Sequence, residues 1–165
     1  MRMKAKQSAL MVSIAKIVSG AQTGVDRAAL DVAISLGIDH GGWVPKGRIA
    51  EDGRVPAIYR VRETETSEYA ERTRRNVLDS DGTLIICEAA LSGGTLDTST
   101  CAGETGKPLL AVDIAATTAD DAVRLIRDWI DENRISVLNV AGPRESERPG
   151  IYAKTRLLLE RVFGR

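Results

Sequence analysis

The sequence predicts a single α/β domain of Rossmann-like type, an open parallel sheet with helices on both faces. Short apolar runs typical of buried strands alternate with longer segments in which apolar residues recur at helical spacing. Glycine-rich turns follow several of the runs, as they do where parallel strands lead into helices. Because 165 residues is the size of one domain, we expect residues 13–165 to form it and residues 1–12 to be a disordered lead-in.

The first half of the chain predicts one clear strand-turn-helix unit and then a long loop. The apolar run at 14–19 ends at Gly20, and the helical pattern that follows stops at Gly37. Glycine and proline are frequent after residue 40, where a functional loop is expected. The predicted elements are a strand over 14–19, a helix over 25–36, a brief strand over 38–44 and a β-prone segment over 58–61.

The second half repeats the alternation more regularly. Residues 83–87 are apolar throughout, which is the mark of a strand covered on both faces of a parallel sheet. Thr118 followed by Asp121 has the spacing of a capping box and predicts the start of an amphipathic helix. The predicted elements are helices over 67–78, 93–104 and from 119 onward, strands over 83–87, 109–112 and 137–140, and a terminal helix beginning near Pro149.

Composition excludes several classes of partner. Lys plus Arg and Asp plus Glu both number 23, so no net field would draw the protein to nucleic acid or to an anionic membrane. No apolar stretch approaches the roughly 20 residues of a membrane span, and no secretory signal is visible. Cys87 and Cys101 lack any metal-binding or redox spacing and are expected to be reduced thiols. These features indicate a cytoplasmic protein.

Ligands of open parallel sheets lie outside the carboxyl ends of the strands, near the point where strand order reverses. Four segments that follow predicted strands are candidates, at 19–24, 41–48, 92–95 and 141–146. Gly93, Gly94 and Thr95 are the best of these, because paired glycines at a helix start let backbone N–H groups approach a phosphate. The loop around Trp43 adds two cationic side chains, Lys46 and Arg48, that could face an anion.

Other familiar sites are absent or weak. The turn at 19–24 fits neither GxGxxG nor the Walker A pattern. His40 is the single histidine, so a multi-imidazole metal site is excluded and a Ser-His-Asp triad could be built only around it. Capping and turn formation are the favoured roles of Asp26, Asp79 and Asp81. No catalytic residue and no metal ligand is therefore assigned.

Seven segments together resemble the molybdenum cofactor carrier family, a Rossmann-like branch related to the "lonely guy" phosphoribohydrolases once misnamed lysine decarboxylases. The match spans nearly the whole domain. It lies in Ser-Gly-Ala-Gln-Thr-Gly-Val-Asp-Arg-Ala at 19–28, Gly-Trp-Val-Pro-Lys-Gly-Arg at 42–48, Ala-Glu-Asp-Gly at 50–53, Arg-Thr-Arg-Arg-Asn-Val at 72–77, Asp-Ser-Asp-Gly-Thr at 79–83, Ser-Gly-Gly-Thr at 92–95 and Asn-Val-Ala-Gly-Pro-Arg-Glu-Ser at 139–146.

The resemblance implies a homo-oligomer that binds the molybdenum cofactor, a pterin with a phosphate, and protects it or delivers it to molybdenum apoenzymes. It implies binding rather than turnover. The ligand-binding residues that it implies are Gly20, Gln22, Thr23 and Gly24 after the first strand, Lys46 and Arg48 in the loop, and Gly93, Gly94 and Thr95 around the phosphate.

Two alternatives remain open at this point. The ligand could be a nucleotide or an ADP-ribose-like molecule held by a sensor. A phosphoribohydrolase acting on nucleoside monophosphates is the enzymatic rival, but the chain departs from that family's Pro-Gly-Gly-x-Gly-Thr-x-x-Glu pattern. Thr98 stands where the glutamate is expected, which removes the obvious general acid or base. Asp97 or Glu104 could substitute for it.

Overall fold

The computed structural model describes residues 12–164, so nearly all of the predicted lead-in lies outside the described residues. The predicted alternation of strands and helices is present, with four additional short strands between β2 and α2. In chain order the elements are β1 (Lys16–Val18), α1 (Val25–Leu36), β2 (Asp39–Gly41), β3 (Trp43–Val44), β4 (Ile49–Ala50), β5 (Gly53–Arg54), β6 (Arg62–Glu63), α2 (Tyr69–Leu78), β7 (Gly82–Cys87), α3 (Gly93–Thr105), β8 (Leu109–Asp113), α4 (Ala119–Glu132), β9 (Val137–Ala141) and α5 (Ile151–Phe163).

Five strands form one parallel sheet in the order β2-β1-β9-β7-β8. Every residue of β7 is buried, as its unbroken apolar run predicts. The apolar faces of α1, α4 and α5 pack on one side of the sheet in the main core, whereas α2 and α3 pack against each other on the opposite side. The predicted Rossmann-like fold is confirmed.

The order of the strands reverses at the middle of the sheet. β9 and β7 are hydrogen-bonded neighbours, but the helix that follows β9 is α5 on one face and the helix that follows β7 is α3 on the other. Neighbouring connections that leave toward opposite faces open a crevice at the carboxyl edge. This crevice is where the fold places a ligand site.

The region between β2 and α2 differs most from expectation. The predicted strand over 38–44 is divided at Gly42, whose φ is 130° and whose added Cβ would lie 2.1 Å from the Ser19 carbonyl oxygen. The prediction of a β segment over 58–61 is wrong, since β6 begins only at Arg62. The carbonyls of Tyr59 and Val61 accept hydrogen bonds from the Arg48 side chain and are thereby unavailable to a strand ladder.

Two predicted local features are confirmed. The Thr118 hydroxyl accepts a hydrogen bond from the backbone N–H of Asp121 at 3.2 Å and caps α4. Cys87 and Cys101 are both free thiols. Within residues 12–164 no helix has the length and apolarity needed to cross a membrane, and the cytoplasmic location stays a prediction.

Gly24 joins the first turn of the fold to the last. Its φ is 80°, and an added Cβ would lie 2.3 Å from the Pro143 carbonyl oxygen. We expect Gly24→Ala to lower the free energy of unfolding by about 1–3 kcal/mol, because both the backbone conformation and the close contact oppose a side chain. Urea denaturation measures the change.

Gly103→Ala is the matched control. Gly103 lies inside α3, and its added Cβ would meet nothing within 4 Å. That substitution is expected to be neutral or to stabilise by up to about 1 kcal/mol through helix propensity. Equal effects of the two substitutions would contradict the role given to Gly24.

Candidate functional site

A cleft opens at the carboxyl edge of β1, β9 and β7, at the crevice where the strand order reverses. Its volume is about 70 Å³. Four parts of the chain meet there, namely the turn after β1, helix α2, the start of α3 and the segment after β9. Among the residues that line the cleft are Gly20, Gln22, Asp26, Arg72, Gly94, Thr95 and Arg144.

The side-chain amide of Gln22 is only half satisfied. Gln22 is 4% exposed, and its Oε1 accepts hydrogen bonds from the backbone N–H groups of Thr23 and Glu51 at 3.1 and 2.9 Å. Those two donors fix the orientation of the amide, because a reversed amide would oppose N–H to N–H. Its Nε2 is buried without any partner among the described residues. A buried donor of this kind costs about 1–3 kcal/mol unless an acceptor reaches it.

Arg72 places a buried positive charge in the cleft. It is 8% exposed, and its Nη1 donates to the Gly20 carbonyl oxygen at 2.6 Å. A side chain at position 20 would displace this guanidinium, because an added Cβ would lie 2.2 Å from that Nη1. Within residues 12–164 no carboxylate oxygen lies within 4.0 Å of this guanidinium. The Asp26 carboxyl acts on this charge from a longer distance. A cation buried without a direct ion pair is costly, and an anionic ligand would reduce that cost.

Asp26 lines the same cleft from the first turn of α1. It is 6% exposed, and its Oδ2 accepts a hydrogen bond from the Gln22 N–H at 3.3 Å. Burial raises the pKa of this carboxyl to about 6, although the nearby charge of Arg72 and the Gln22 hydrogen bond act to lower it. The cleft therefore contains a carboxyl group that titrates close to neutral pH.

The start of α3 supplies backbone donors to the cleft. Ser92 makes no side-chain capping bond, and the first N–H groups of a helix have no partner within the helix. An added Cβ on Gly94 would meet nothing within 4 Å, so no neighbour in the described chain explains the small residue there. Together with the positive end of the helix dipole, this geometry suits an anion.

A second arginine lies at the mouth of the cleft. The guanidinium carbons of Arg72 and Arg144 lie 5.0 and 5.1 Å from the centre of the Tyr69 ring, within range of cation–π attraction. Arg144 also faces the Glu147 carboxylate at 3.7 Å, with about a third of its side chain exposed. Unlike Arg72, it is partly solvated and already has a weak ion-pair partner.

The structure brings four of the predicted site residues into the cleft, namely Gly20, Gln22, Gly94 and Thr95. Gly93, with a φ of 52°, forms the bend that leads into the helix. Gly24 packs on Pro143, as described above. The Thr23 hydroxyl donates to the Glu51 carboxylate and accepts from the Glu145 N–H at 3.2 Å. These contacts tie the turn after β1 to two other loops.

The two predicted loop cations lie elsewhere. The Arg48 guanidinium donates to four backbone carbonyls of its own loop, at 2.8 to 3.3 Å, and so holds that loop together. Lys46 is exposed and is not among the residues that line the cleft. Neither side chain lines the cleft. That the nine residues predicted from the sequence contact a ligand stays a prediction.

Sequence reasoning missed Arg72, Asp26 and Arg144 as site residues. Arg72 and Asn76 lie with Tyr69 along one face of α2. The segment at 72–77 is one of those that resemble the carrier family, and its polar face was the sequence feature that could have indicated these site residues. Asp26 was interpreted as a helix-start acid, which describes its position in the chain but not its burial. No local pattern indicates that a side chain of α2 reaches the turn after β1.

Several other singled-out residues have structural roles. The Trp43 Nε1 donates to the Asp79 carboxylate at 2.7 Å, and the Asp81 carboxylate accepts from the Val137 N–H at 2.8 Å. The His40 Nε2 accepts from the Arg60 N–H at 3.3 Å, and burial lowers the pKa of His40. In the part of the chain that the structure describes, no group of three acidic, histidine or cysteine side chains could hold a metal ion.

An open parallel sheet with a donor-lined cleft at its carboxyl edge defines a Rossmann-like ligand-binding domain. The chain belongs to the circularly permutated YpsA SLOG family, whose model matches residues 17–163. It is similar to a crystal structure named "Putative molybdenum carrier protein" from Syntrophus aciditrophicus SB, with 52% identity, a TM-score of 0.90 and coverage of 93% of this chain and 96% of that one. None of the curated proteins compared with the chain matches it significantly. The predicted resemblance is confirmed.

The buried carboxyl of Asp26 gives the protein a defined pH dependence of stability. Its pKa is about 6 in the folded state against an ordinary value of 3.8, so the folded state binds more protons between these values. We expect the free energy of unfolding to fall as pH rises from about 4 to 6, by up to about 3 kcal/mol relative to Asp26→Asn. Urea denaturation at several pH values measures this difference.

The charge-matched control is Asp128→Asn, on the exposed face of α4. Its stability should follow that of the unsubstituted protein across the same pH range. If the free energy of unfolding changed with pH in the same way in the unsubstituted protein and in Asp26→Asn, the pKa assigned to Asp26 would be contradicted.

Proposed function

We propose that this chain is a non-catalytic carrier that binds the molybdenum cofactor by its phosphate, protects it, and delivers it to molybdenum apoenzymes. The observation that carries the proposal is the unpaired, buried guanidinium of Arg72 in the cleft. A cation there is stabilised when an anion binds, and the unpartnered Nε2 of Gln22 gains an acceptor at the same time. Two further parts of the proposal are homo-oligomeric assembly, which rests on the family resemblance, and a cytoplasmic location, which rests on the composition of the sequence.

The residues of the cleft fit the phosphate end of such a ligand. The cleft, at about 70 Å³, is small beside the roughly 300–1,000 Å³ of typical ligand pockets and suits a group of a few atoms. Arg72, Gln22 and the N–H of Gly94 would hold the phosphate there, and the pterin would occupy the open outer cleft near Arg144. The bound cofactor is the cargo, and the chain supplies binding and exclusion of water.

The name of the similar crystal structure, a molybdenum carrier protein, supports this choice of ligand. The residue at the position where the related hydrolases carry glutamate favours binding over turnover. Thr98 stands there, and its hydroxyl donates to the Gly94 carbonyl oxygen at 2.9 Å within α3. A hydroxyl engaged in its own helix offers no general acid or base to a ligand.

A thermal-shift panel with molybdenum cofactor, AMP, ADP-ribose and NAD tests the proposal. A ligand at 100 times its dissociation constant adds about 2.7 kcal/mol to stability, and we expect the pterin cofactor to give the largest shift. Arg72→Met should weaken binding at least about tenfold, because a charged hydrogen bond contributes about 1.5–3 kcal/mol. Gly94→Val should abolish binding by filling the space beside the helix start.

Arg74→Met is the matched control, because Arg74 lies on the same helix but is exposed and outside the cleft. Its affinity should be unchanged. Transfer of bound cofactor to a molybdenum apoenzyme, measured as recovered enzyme activity, separates a carrier from a sensor that keeps its ligand. Larger shifts with the nucleotides than with the pterin would overturn the carrier assignment.

A phosphoribohydrolase is the second candidate, and one observation favours it. A buried carboxyl with a pKa of about 6 in a ligand cleft is well suited to general acid or base work. Asp97 also lines the cleft, whereas Glu104 lies near the far end of α3 and outside it. Of the two substitutes that the sequence left open, Asp97 lines the cleft and Glu104 does not, and Asp26 lines it as well.

Release of adenine from AMP by purified protein tests this candidate. If the protein is a hydrolase, Asp26→Asn or Asp97→Asn should reduce turnover at least about a hundredfold, the usual scale of a general acid or base. Glu104→Gln should leave it unchanged. Under the carrier proposal we expect no adenine release above the uncatalysed rate, and turnover that depends on either aspartate would contradict that proposal.

A further inference from the structure

We propose that Asp26 makes the cleft select an oxyanion that brings its own proton, such as hydrogen phosphate or a singly protonated phosphate ester, over sulfate and molybdate. The inference rests on the proposed anion-binding function and deepens it by naming the class of anion.

The positions of two buried charged groups carry the argument. Asp26 and Arg72 line the same small cleft, both are more than nine-tenths buried, and each acts electrostatically on the other. We expect a tetrahedral oxyanion that reaches the guanidinium in this cleft to meet the carboxyl group as well. The Asp26 Oδ2 accepts the Gln22 N–H, whereas the Oδ1 accepts no hydrogen bond from residues 12–164 and is left for the ligand.

An ionised carboxylate and a fully ionised oxyanion are both acceptors, so their oxygens repel unless one proton lies between them. Hydrogen phosphate supplies that proton itself and can donate to the Asp26 Oδ1. Sulfate and molybdate carry no proton near neutral pH, and they bind only after the carboxyl has been protonated. The difference between the two kinds of anion therefore grows as the pH rises above the pKa of Asp26.

The charged groups around the cleft set the pH range of this selection. Burial holds the pKa of Asp26 near 6 against the opposing effect of the surrounding cations. At pH 8 the ionised carboxylate then exceeds the neutral form about a hundredfold. The charged groups that face the cleft or act on Asp26 are Arg72 of α2, Arg27 of α1, Arg144 and Glu147 after β9, and Asp97 of α3.

Two of the three cations already have partners. Arg27 pairs with the Asp52 carboxylate in the loop after β4, and Arg144 faces Glu147. Arg72 therefore supplies the main electrostatic attraction for the anion, and Asp26 determines which kind of anion binds. Attraction and selection come from two different residues, so they are separable by substitution.

Inorganic phosphate and sulfate are the probes at pH 5 and pH 8, with molybdate added at pH 8, and all are titrated calorimetrically with ionic strength held constant by chloride. At pH 8 we expect phosphate to bind about a hundredfold more tightly than sulfate or molybdate, since each pH unit above the pKa of Asp26 lowers the affinity for an unprotonated anion about tenfold. At pH 5, where Asp26 is neutral and can donate, the affinities for phosphate and sulfate should lie within about threefold. Sulfate affinity should fall about tenfold per pH unit above 6.

Asp26→Asn should remove the preference for phosphate at pH 8, because the asparagine amide donates to any oxyanion. Asp128→Asn on exposed α4 removes the same charge outside the cleft and should keep the preference. If Asp26→Asn does not fold, the pH profile of sulfate binding to the unsubstituted protein tests the same point.

The outcomes separate the two proposals. Equal affinities for phosphate and sulfate at pH 8, with binding lost in Arg72→Met, would overturn the selection by Asp26 and leave the anion site standing. If none of these oxyanions bound at any pH at which it is titrated, the proposed function would be overturned and this inference with it. A preference that survives in Asp26→Asn would assign the selection to another group and so overturn the inference alone.

Discussion

The hydrogen bond from the Arg72 guanidinium to the Gly20 carbonyl oxygen, 2.6 Å long, organises the whole site. It joins α2, on one side of the sheet, to the turn after β1, and a side chain at position 20 would displace the guanidinium from this position. The contact buries a positive charge directly beside the carboxyl edge of the sheet. The charge of Asp26, the accessibility of Gln22 and the attraction for an anion all depend on where that guanidinium lies.

The segment between β2 and α2, which contains β3 to β6, packs against the turn after β1. Glu51 accepts hydrogen bonds from the Thr23 hydroxyl and from the Ser146 N–H, so three loops meet on one carboxylate. Asp52 adds an ion pair with Arg27 of α1. The loop that composition identified as functional therefore acts by fixing the shape of the turn, and its own cation Arg48 is engaged by backbone carbonyls.

A buried cation and a carboxyl that titrates near pH 6 coexist in the cleft because its charged groups are unevenly solvated. Arg72 is buried and has no ion pair in the described structure, whereas Arg144 is partly exposed and pairs with Glu147. Desolvation acts on Asp26 more strongly than these cations do, so its carboxyl stays near half ionisation around pH 6. A carrier uses such a group to choose its ligand, and a hydrolase would use it to move a proton.

The sequence by itself determined the fold class, most of the elements and four of the residues that line the candidate cleft. The apolar run of β7, the cap at Thr118 and the glycines near residue 94 are local signals, because strand burial, helix capping and tight turns depend on neighbours in the chain. Only the tertiary structure decided which charges face the cleft. Arg72 stands 52 positions after Gly20 in the chain, and long-range packing alone brings the two together and buries Asp26 beside them.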